Sequence, residues 1–104
     1  MGYEVIISNK AQLQLDRFIY YIVVELGNEQ AARNVLEDAE KTKIKLSHVA
    51  DRLKLCDNPK LYELGYRVIH FEHHRYLMVY RIDGTAVYVE GIYHELQDYE
   101  NYIE

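Results

Sequence analysis

Two runs of β-branched and aromatic residues on either side of Asp83 and Gly84 constrain the fold more than any other feature of this chain. The runs are HRYLMVYRI and TAVYVEGIYH, and an Asp-Gly step between two such runs is a strong signal for a two-residue hairpin turn. A third run of the same kind, GYRVIHF, precedes them. The second half of the chain is therefore predicted to form three antiparallel strands.

The first half of the chain reads as one strand followed by a helix. Apolar Tyr3, Val5 and Ile7 recur at every second position, as in a short strand. Ser8 or Asn9 can then cap a helix. The predicted helix ends at Gly27, where a left-handed terminator would sit, and its apolar residues recur at helical spacing: Ala11, Leu15, Phe18, Ile19, Ile22 and Leu26.

A second, longer helix is predicted to begin after Asn28. Its apolar stripe comprises Ala32, Val35, Leu36, Ala39, Leu46, Val49 and Leu53. Its opposite side pairs Glu29 with Arg33 and Glu37 with Lys41 at four-residue spacing, which indicates a solvated surface. Pro59, the only proline, is expected to break helical structure before the strands begin. The tail LQDYENYIE is predicted to form a short helix or to fray.

This order predicts an α+β domain, in which an N-terminal strand and a two-helix hairpin precede a three-stranded antiparallel meander, with one sheet packed on the helices. A length of 104 residues with 49% hydrophobic residues fits a single domain over residues 1–104. The N-terminal strand is expected beside a later strand. The apolar stretch 18–24 is too short to cross a bilayer, and the first residues do not show the pattern expected of a signal segment, so a soluble intracellular protein is expected. The single cysteine, Cys56, fits a reduced cytoplasm and is expected to be a buried or neutral thiol.

The formal net charge of −5 argues against a nonspecific nucleic-acid binder, because phosphate neutralisation needs clustered lysine and arginine. Any RNA chemistry would need a local basic patch. The eleven tyrosines can stack on bases, but they are more simply explained as residues that fill strand faces.

A candidate catalytic group follows from the predicted hairpin. If Ile82 pairs with Thr85, Arg75 lies opposite Ile92. Arg75 then shares a sheet face with Glu90 and His94. In a ribonuclease, Glu90 or another base would activate the ribose 2′-hydroxyl, Arg75 would stabilise the phosphate and His94 would protonate the leaving oxygen. The alternative is a cross-strand salt bridge between Arg75 and Glu90 with His94 at the sheet's edge.

The same face also carries Leu77, Val79, Tyr88 and Ile92, which the helices need not cover. This predicts an exposed apolar groove that receives a helix or an extended strand of a partner protein.

Four further residues lie in or beside the first turn of the meander. Arg67, in the preceding strand, is expected to add to the positive field of Arg75. His70, His73 and His74 could suggest a metal site, but His73 and His74 point to opposite faces of an extended chain and no cysteine completes the set. A solvated turn is favoured, and no metal or other cofactor is predicted.

The run GYRVIHFEHHRYLMVYRIDGTAVYVEGIYHELQDYE resembles the C-terminal half of RelE/ParE toxins, and ELGNEQAARNVLEDAEKTKIKLS is similar to the family's second helix. The resemblance covers nearly the whole chain and implies the toxin of a bacterial type II toxin–antitoxin, or plasmid stabilisation, system. Such a toxin inhibits growth in the cytoplasm until a cognate antitoxin binds it.

The resemblance implies two alternative targets. RelE-like members are mRNA interferases, metal-independent endoribonucleases that cut mRNA on the ribosome, whereas ParE-like members poison DNA gyrase. Arg75 matches the family arginine that contacts phosphate in the RNA-cutting members, and His94 falls where some of them place a general acid. The acidic charge and the long second helix favour the gyrase poison. The ribonuclease, and an inactive member that only binds antitoxin, stay as alternatives. The oligomeric state is left open.

Overall fold

In a computed structural model, which describes residues 2–101, the chain is an α+β protein with one mixed sheet. The elements in chain order are strand β1 (Glu4–Ile7), helix α1 (Asn9–Tyr20), a π-helical turn (Tyr21–Glu25), helix α2 (Glu29–Val49), a 3₁₀ turn (Ala50–Arg52), helix α3 (Pro59–Glu63), strands β2 (Arg67–His70), β3 (Tyr76–Asp83) and β4 (Ala86–His94), and a 3₁₀ turn (Tyr99–Asn101). The predicted fold class is confirmed. None of these described helices combines the length and the apolar character needed to span a bilayer.

The sheet has the strand order β1-β4-β3-β2. Strand β1 runs parallel to β4, while β2, β3 and β4 form the predicted antiparallel meander. The N-terminal strand therefore does enter beside a later strand, as expected. Helices α1 and α2 cover one face of the sheet, where they bury a core that includes Leu15, Leu46, Met78, Tyr80 and Val89.

The helix termini follow the capping signals in the sequence. The hydroxyl of Ser8 accepts a hydrogen bond from the amide of Ala11 at 3.0 Å, and the side chain of Asn28 accepts one from the amide of Ala31 at 2.9 Å. Gly27 has a φ of 61°, a left-handed conformation that glycine adopts without steric cost. The first helix ends where it was predicted to end, although its last turn is π-helical.

Helical structure does break before the strands, at residues 53–58, but Pro59 then begins the short helix α3. Asn58 caps this helix, since its side-chain oxygen accepts hydrogen bonds from the amides of Lys60 and Leu61 at 3.0 and 3.1 Å. Proline suits the first turn of a helix because its missing amide hydrogen would have no partner there. The predicted break is therefore present, but the direct passage from this segment to the sheet was wrong, because α3 lies between them.

Helix α3 and the segments beside it cover the second face of the sheet, which was predicted to be an exposed groove. Leu77 and Val79 are 2% and 0% exposed. They lie in a second core, whose other members are Cys56, Leu61, Tyr66 and Tyr93, with Val68 and Tyr99 packed against it. Because this face is buried, it is not available to a partner, and the prediction of a groove there was wrong. Residues 102–104 of the predicted C-terminal helix lie outside the described residues.

The β3–β4 hairpin also differs from its predicted register. Its turn residues are Gly84 and Thr85, so Asp83 pairs with Ala86 and Ile82 pairs with Val87, not with Thr85. Gly84 has a φ of 63°, which suits the first position of a type II′ turn. The Asp-Gly signal located the hairpin correctly but placed the turn one residue too early.

A β-bulge near the middle of the hairpin changes which side chains share a face. Tyr80 pairs with Val89 but Val79 pairs with Gly91, so Glu90 is an extra residue without a cross-strand partner. Beyond the bulge, Ile92 lies opposite Met78 in the core beneath the helices. An inserted residue reverses the alternation of every residue after it, which is why Ile92 and His94 were assigned to the wrong face.

Candidate functional site

Arg75 lies at the end of the sheet, just before β3, and Glu95 lies opposite it. The amide of Glu95 donates a hydrogen bond to the carbonyl of Arg75 at 2.8 Å. The Nε atom of Arg75 donates to Oε1 of Glu95 at 3.3 Å, and Nδ1 of His70 lies 3.0 Å from Oε2. Hydrogen bonds from Arg75 and His70 lower the pKa of Glu95 below its ordinary value. A cation, a carboxylate and an imidazole are thus brought together here.

Glu90 is not part of this group. Its carboxylate accepts a hydrogen bond from Nε of Arg81 at 2.9 Å, and the guanidinium of Arg81 also lies over the ring of Tyr88, 4.9 Å from its centroid. The bulge turns Glu90 towards Arg81, which pairs with Tyr88 and lies six residues along the chain from Arg75. The predicted neighbourhood of Arg75 and Glu90 was therefore wrong.

His94 lies opposite Tyr76 on the face covered by the helices. Its ring meets the ring of Tyr76 edge-on, with 5.3 Å between the centroids. Its Nδ1 atom accepts a hydrogen bond from the amide of Leu96 at 3.1 Å, so the neutral ring carries its proton on Nε2. The Nε2–H of His94 can donate a hydrogen bond, but the ring lies on the opposite side of the sheet from the side chain of Arg75.

Arg67 occupies the edge strand β2, opposite Tyr80. Its guanidinium donates a hydrogen bond to the backbone carbonyl of Leu53. This contact ties β2 to the segment that follows α2, and it gives Arg67 a partner away from Arg75. Of the four predicted site residues, Arg75, His94, Glu90 and Arg67, no two are joined by a hydrogen bond or an ion pair; their predicted catalytic roles stay predictions.

Sequence reasoning missed Glu95 and misjudged His70. Glu95 comes one residue after the predicted strand, and its position opposite Arg75 depends on the bulge at Glu90. His70 was considered only as a metal ligand. The one available signal was that His70 and Arg75 flank the same turn, which places both at one end of the sheet.

A second polar cluster surrounds Asp38, which is 2% exposed on α2. Its carboxylate accepts hydrogen bonds from the amides of Glu72 and His73 at 3.3 and 2.9 Å, and Nδ1 of His74 lies 2.7 Å from it. Burial alone would raise the pKa of Asp38, but these hydrogen bonds, led by that of His74, lower it below its ordinary value. Asp38 therefore anchors the β2–β3 turn to α2 as a carboxylate.

The histidines of this turn have separate partners. His70 meets Glu95, His74 meets Asp38, and Nε2 of His73 lies 3.2 Å from the carboxylate of Glu72. Among residues 2–101, no three His, Cys, Asp or Glu side chains are grouped so that they could hold a metal ion. Cys56 is buried, and burial, with the nearby charges of Glu100 and Asp57, raises the pKa of its thiol.

Comparisons with known proteins agree with the fold. Residues 5–99 match the family described as ParE toxin of type II toxin-antitoxin system, parDE. Among solved structures, the chain resembles one titled "Chromosomal ParDE TA system from P. aeruginosa", with a TM-score of 0.72 and 20% sequence identity over 88% of this chain and 95% of that one. No curated protein matches the chain.

Proposed function

Because the chain belongs to the ParE toxin family of type II toxin–antitoxin systems, we propose that it inhibits bacterial growth in the cytoplasm by poisoning DNA gyrase, and that a co-expressed antitoxin holds it inactive. The family match carries the toxin assignment. The choice of gyrase as the target depends on the geometry of the residues that a ribonuclease would need.

The observation that carries this choice is the separation of Arg75, Glu90 and His94. Glu90 is bound to Arg81 and His94 packs against Tyr76 on the helix-covered side of the sheet. General acid–base cleavage needs the base, the acid and the phosphate-binding cation around one reacting phosphodiester.

One observation favours the alternative, a RelE-like mRNA endonuclease. His70, Glu95 and Arg75 form a compact group whose residue types suit phosphodiester cleavage, with Glu95 held ionised between the two nitrogen groups. Glu95 and His70 would serve as base and acid, and Arg75 would stabilise the phosphate. The carboxylate of Glu95 already contacts both Arg75 and His70, so an incoming phosphate would have to compete with it for Arg75.

The antitoxin is proposed to cover the outer side of the first helix. Leu13, Tyr20, Tyr21 and Val24 are 55%, 64%, 53% and 53% exposed, and Leu13, Tyr20 and Val24 recur at helical spacing. Leu13 and Tyr20 lie in α1, and Tyr21 and Val24 lie in the π-helical turn that continues it. We call these four residues the apolar stripe of α1. Large exposed apolar patches mark sites of protein interaction, and an amphipathic antitoxin segment laid along this stripe would bury it.

The test is to express the chain without antitoxin and to follow two readouts. Trapped gyrase–DNA complexes and loss of supercoiling with purified gyrase would support the proposed target. Primer-extension signals for mRNA cut near ribosomal A sites, with gyrase unaffected, would support the endonuclease instead. Normal growth at good expression of folded protein would contradict both and leave an inactive family member that only binds antitoxin.

A further inference from the structure

The C-terminal half of α2 carries a row of exposed cationic and imidazole side chains. Lys41, Lys45, His48 and Arg52 are all exposed, and their spacing of four, three and four residues places them along one side of the helix and the 3₁₀ turn that follows it. We call these four residues the basic stripe. Lys41 lines a pocket beside His73 and His74, and His48 and Arg52 line another beside the β3–β4 turn.

The basic stripe is unpaired, in contrast to the cations of the sheet. Arg75 and Arg81 bind Glu95 and Glu90, and Arg67 binds a backbone carbonyl. Within residues 2–101, by comparison, the side chains of the basic stripe make no hydrogen bond or ion pair. The helical pair predicted between Glu37 and Lys41 is not formed, so this prediction was wrong.

The charge around the basic stripe is opposite to that of the whole chain. Residues 41–54 contain five of the twelve lysines and arginines but only one of the seventeen aspartates and glutamates, a local charge of +4 in a chain of net charge −5. The acidic groups closest along the chain are Glu40, next to Lys41, and Asp51, beside Arg52. Neither is within ion-pair distance of the stripe. A polyanion would therefore approach this side and be repelled elsewhere.

We propose that the basic stripe binds the phosphate backbone of duplex DNA. At 1.5 Å per residue, the eleven-residue step from Lys41 to Arg52 spans about 16 Å. That length matches about five base pairs at 3.4 Å per step, so Lys41, Lys45 and Arg52 can each reach a phosphate along one groove edge. The inference rests on the proposed function, because a gyrase poison acts where the enzyme holds DNA, and it adds a direct contact with that DNA.

An acidic protein segment fits the basic stripe less well. Protein interfaces depend on buried apolar or aromatic anchors surrounded by a polar rim. The only large hydrophobic side chain exposed along this part of α2 is Ile44, at 56%, whereas the apolar stripe of α1 offers four. Phosphate contacts need no apolar anchor, since released counterions supply the binding free energy.

The test uses the purified toxin without gyrase and a fluorescently labelled 20-base-pair duplex, with binding followed by anisotropy between 25 and 200 mM salt. Three phosphate contacts predict a slope of log K against log salt of about −2.7, equivalent to a loss of about 40-fold in affinity from 50 to 200 mM. The double variant Lys41→Glu with Lys45→Glu should lose affinity at least tenfold and flatten the slope by about 2.

A matched control has the same charge change elsewhere. Arg17→Glu with Lys60→Glu alters two exposed cations off the stripe and should leave the slope within 0.5 of that of the parent. Thermal melts check folding, and Lys41→Gln with Lys45→Gln repeats the test with half the charge change. These variants lie at exposed helical sites where glutamate and glutamine are good helix formers.

Three outcomes would overturn the proposal: no duplex binding at 25 mM salt, equal loss of binding in the stripe and control variants, or equally strong competition by polyglutamate or single-stranded RNA. The result is separable from the proposed function. If the toxin traps gyrase but does not bind DNA by itself, only the proposed DNA contact is contradicted. If the toxin binds DNA through the basic stripe but leaves gyrase active, only the proposal that gyrase is the target is contradicted.

Discussion

Glu90 reaches back across the β3–β4 hairpin to Arg81, with 2.9 Å between its Oε2 atom and the arginine Nε. Arg75, which the predicted hairpin register placed beside Glu90, instead meets Glu95 at 3.3 Å. The difference comes from the bulge at Glu90. The bulge removes the carboxylate of Glu90 from the group that was predicted to cleave RNA. This relationship makes the nuclease alternative testable with single substitutions.

Arg75→Ala and His94→Gln are expected to leave growth arrest intact. If these residues served a cleavage transition state, each replacement would slow the reaction by about 10²–10⁴-fold, and arrest would disappear. Under the proposed gyrase mechanism the two side chains have no shared reaction to serve. Growth curves at matched expression, with antitoxin co-purification as a check of folding, measure the effect. Loss of arrest in both folded variants would support the ribonuclease alternative instead.

His70→Gln tests the group that the structure does assemble. Because His70 contacts Glu95 on an exposed sheet end, its replacement should leave both folding and growth arrest unchanged if gyrase is the target. Primer extension on mRNA from arrested cells provides the readout. Asn or Gln in place of the exposed His73 gives a control on the same turn. Abolished mRNA cutting in His70→Gln alone would identify His70 as the proton donor of an endonuclease.

The element order could be predicted from the sequence because capping residues and apolar periodicity are local signals. Ser8, Asn28 and Gly27 predicted the helix ends, and the Asp83-Gly84 step predicted the position of the hairpin. The bulge at Glu90 could not be predicted in the same way. Its only sequence signal is Gly91, and a glycine in a strand indicates a bulge or a close approach without saying which.

The burial of the second face of the sheet could not be predicted for a different reason. Whether a sheet face is covered depends on what folds back onto it, and the segment around Pro59 gave no periodic signal. Leu61, which is 0% exposed, places α3 over Leu77 and Val79. The two groups that hold the turn, Asp38 with His74 and Glu95 with His70, join residues that lie 36 and 25 positions apart. Such pairs depend on tertiary packing alone.

Gly91→Ala is expected to destabilise the protein by about 1–3 kcal/mol through overpacking. A Cβ atom at Gly91 would overlap the ring of Tyr93, with 2.8 Å to its Cζ atom, and Tyr93 is only 1% exposed. Denaturant unfolding measures the loss. The same substitution in a Tyr93→Leu background should cost clearly less, since the clashing ring is gone. Equal costs in both backgrounds would show that the ring does not set the requirement for glycine.

Asp38→Asn should destabilise the protein by about 1–3 kcal/mol at neutral pH, because a buried acceptor of several hydrogen bonds is replaced by a group that is half donor. Its pH dependence has a defined sign. The folded-state pKa of Asp38 is lowered. The stability that its ionised side chain contributes is therefore fully present above its unfolded-state pKa and is lost as the pH falls through its folded-state pKa. Denaturant midpoints between pH 7 and pH 2 should therefore converge for the parent and Asp38→Asn towards low pH.

The control for Asp38→Asn is Glu37→Gln, an exposed neighbour on the same helix. It should change the free energy of unfolding by less than about 0.5 kcal/mol at every pH. A gap between the parent and Asp38→Asn that stays constant down to pH 2 would contradict the assignment of Asp38 as an ionised anchor of the turn.

Tyr21→Ser with Val24→Ser should weaken antitoxin binding at least tenfold without lowering the stability of the toxin. Both side chains are 53% exposed, so the free protein loses little packing, whereas a bound antitoxin segment would lose two apolar contacts, each worth about 1.5–3 kcal/mol when fully buried. Titration calorimetry with the cognate antitoxin measures the change. Leu64→Ser with Leu96→Ser is the matched control, because these leucines are 51% and 77% exposed and lie outside the apolar stripe of α1. If the control weakened binding and the stripe variant did not, the antitoxin would have to dock on the α3 side of the sheet instead.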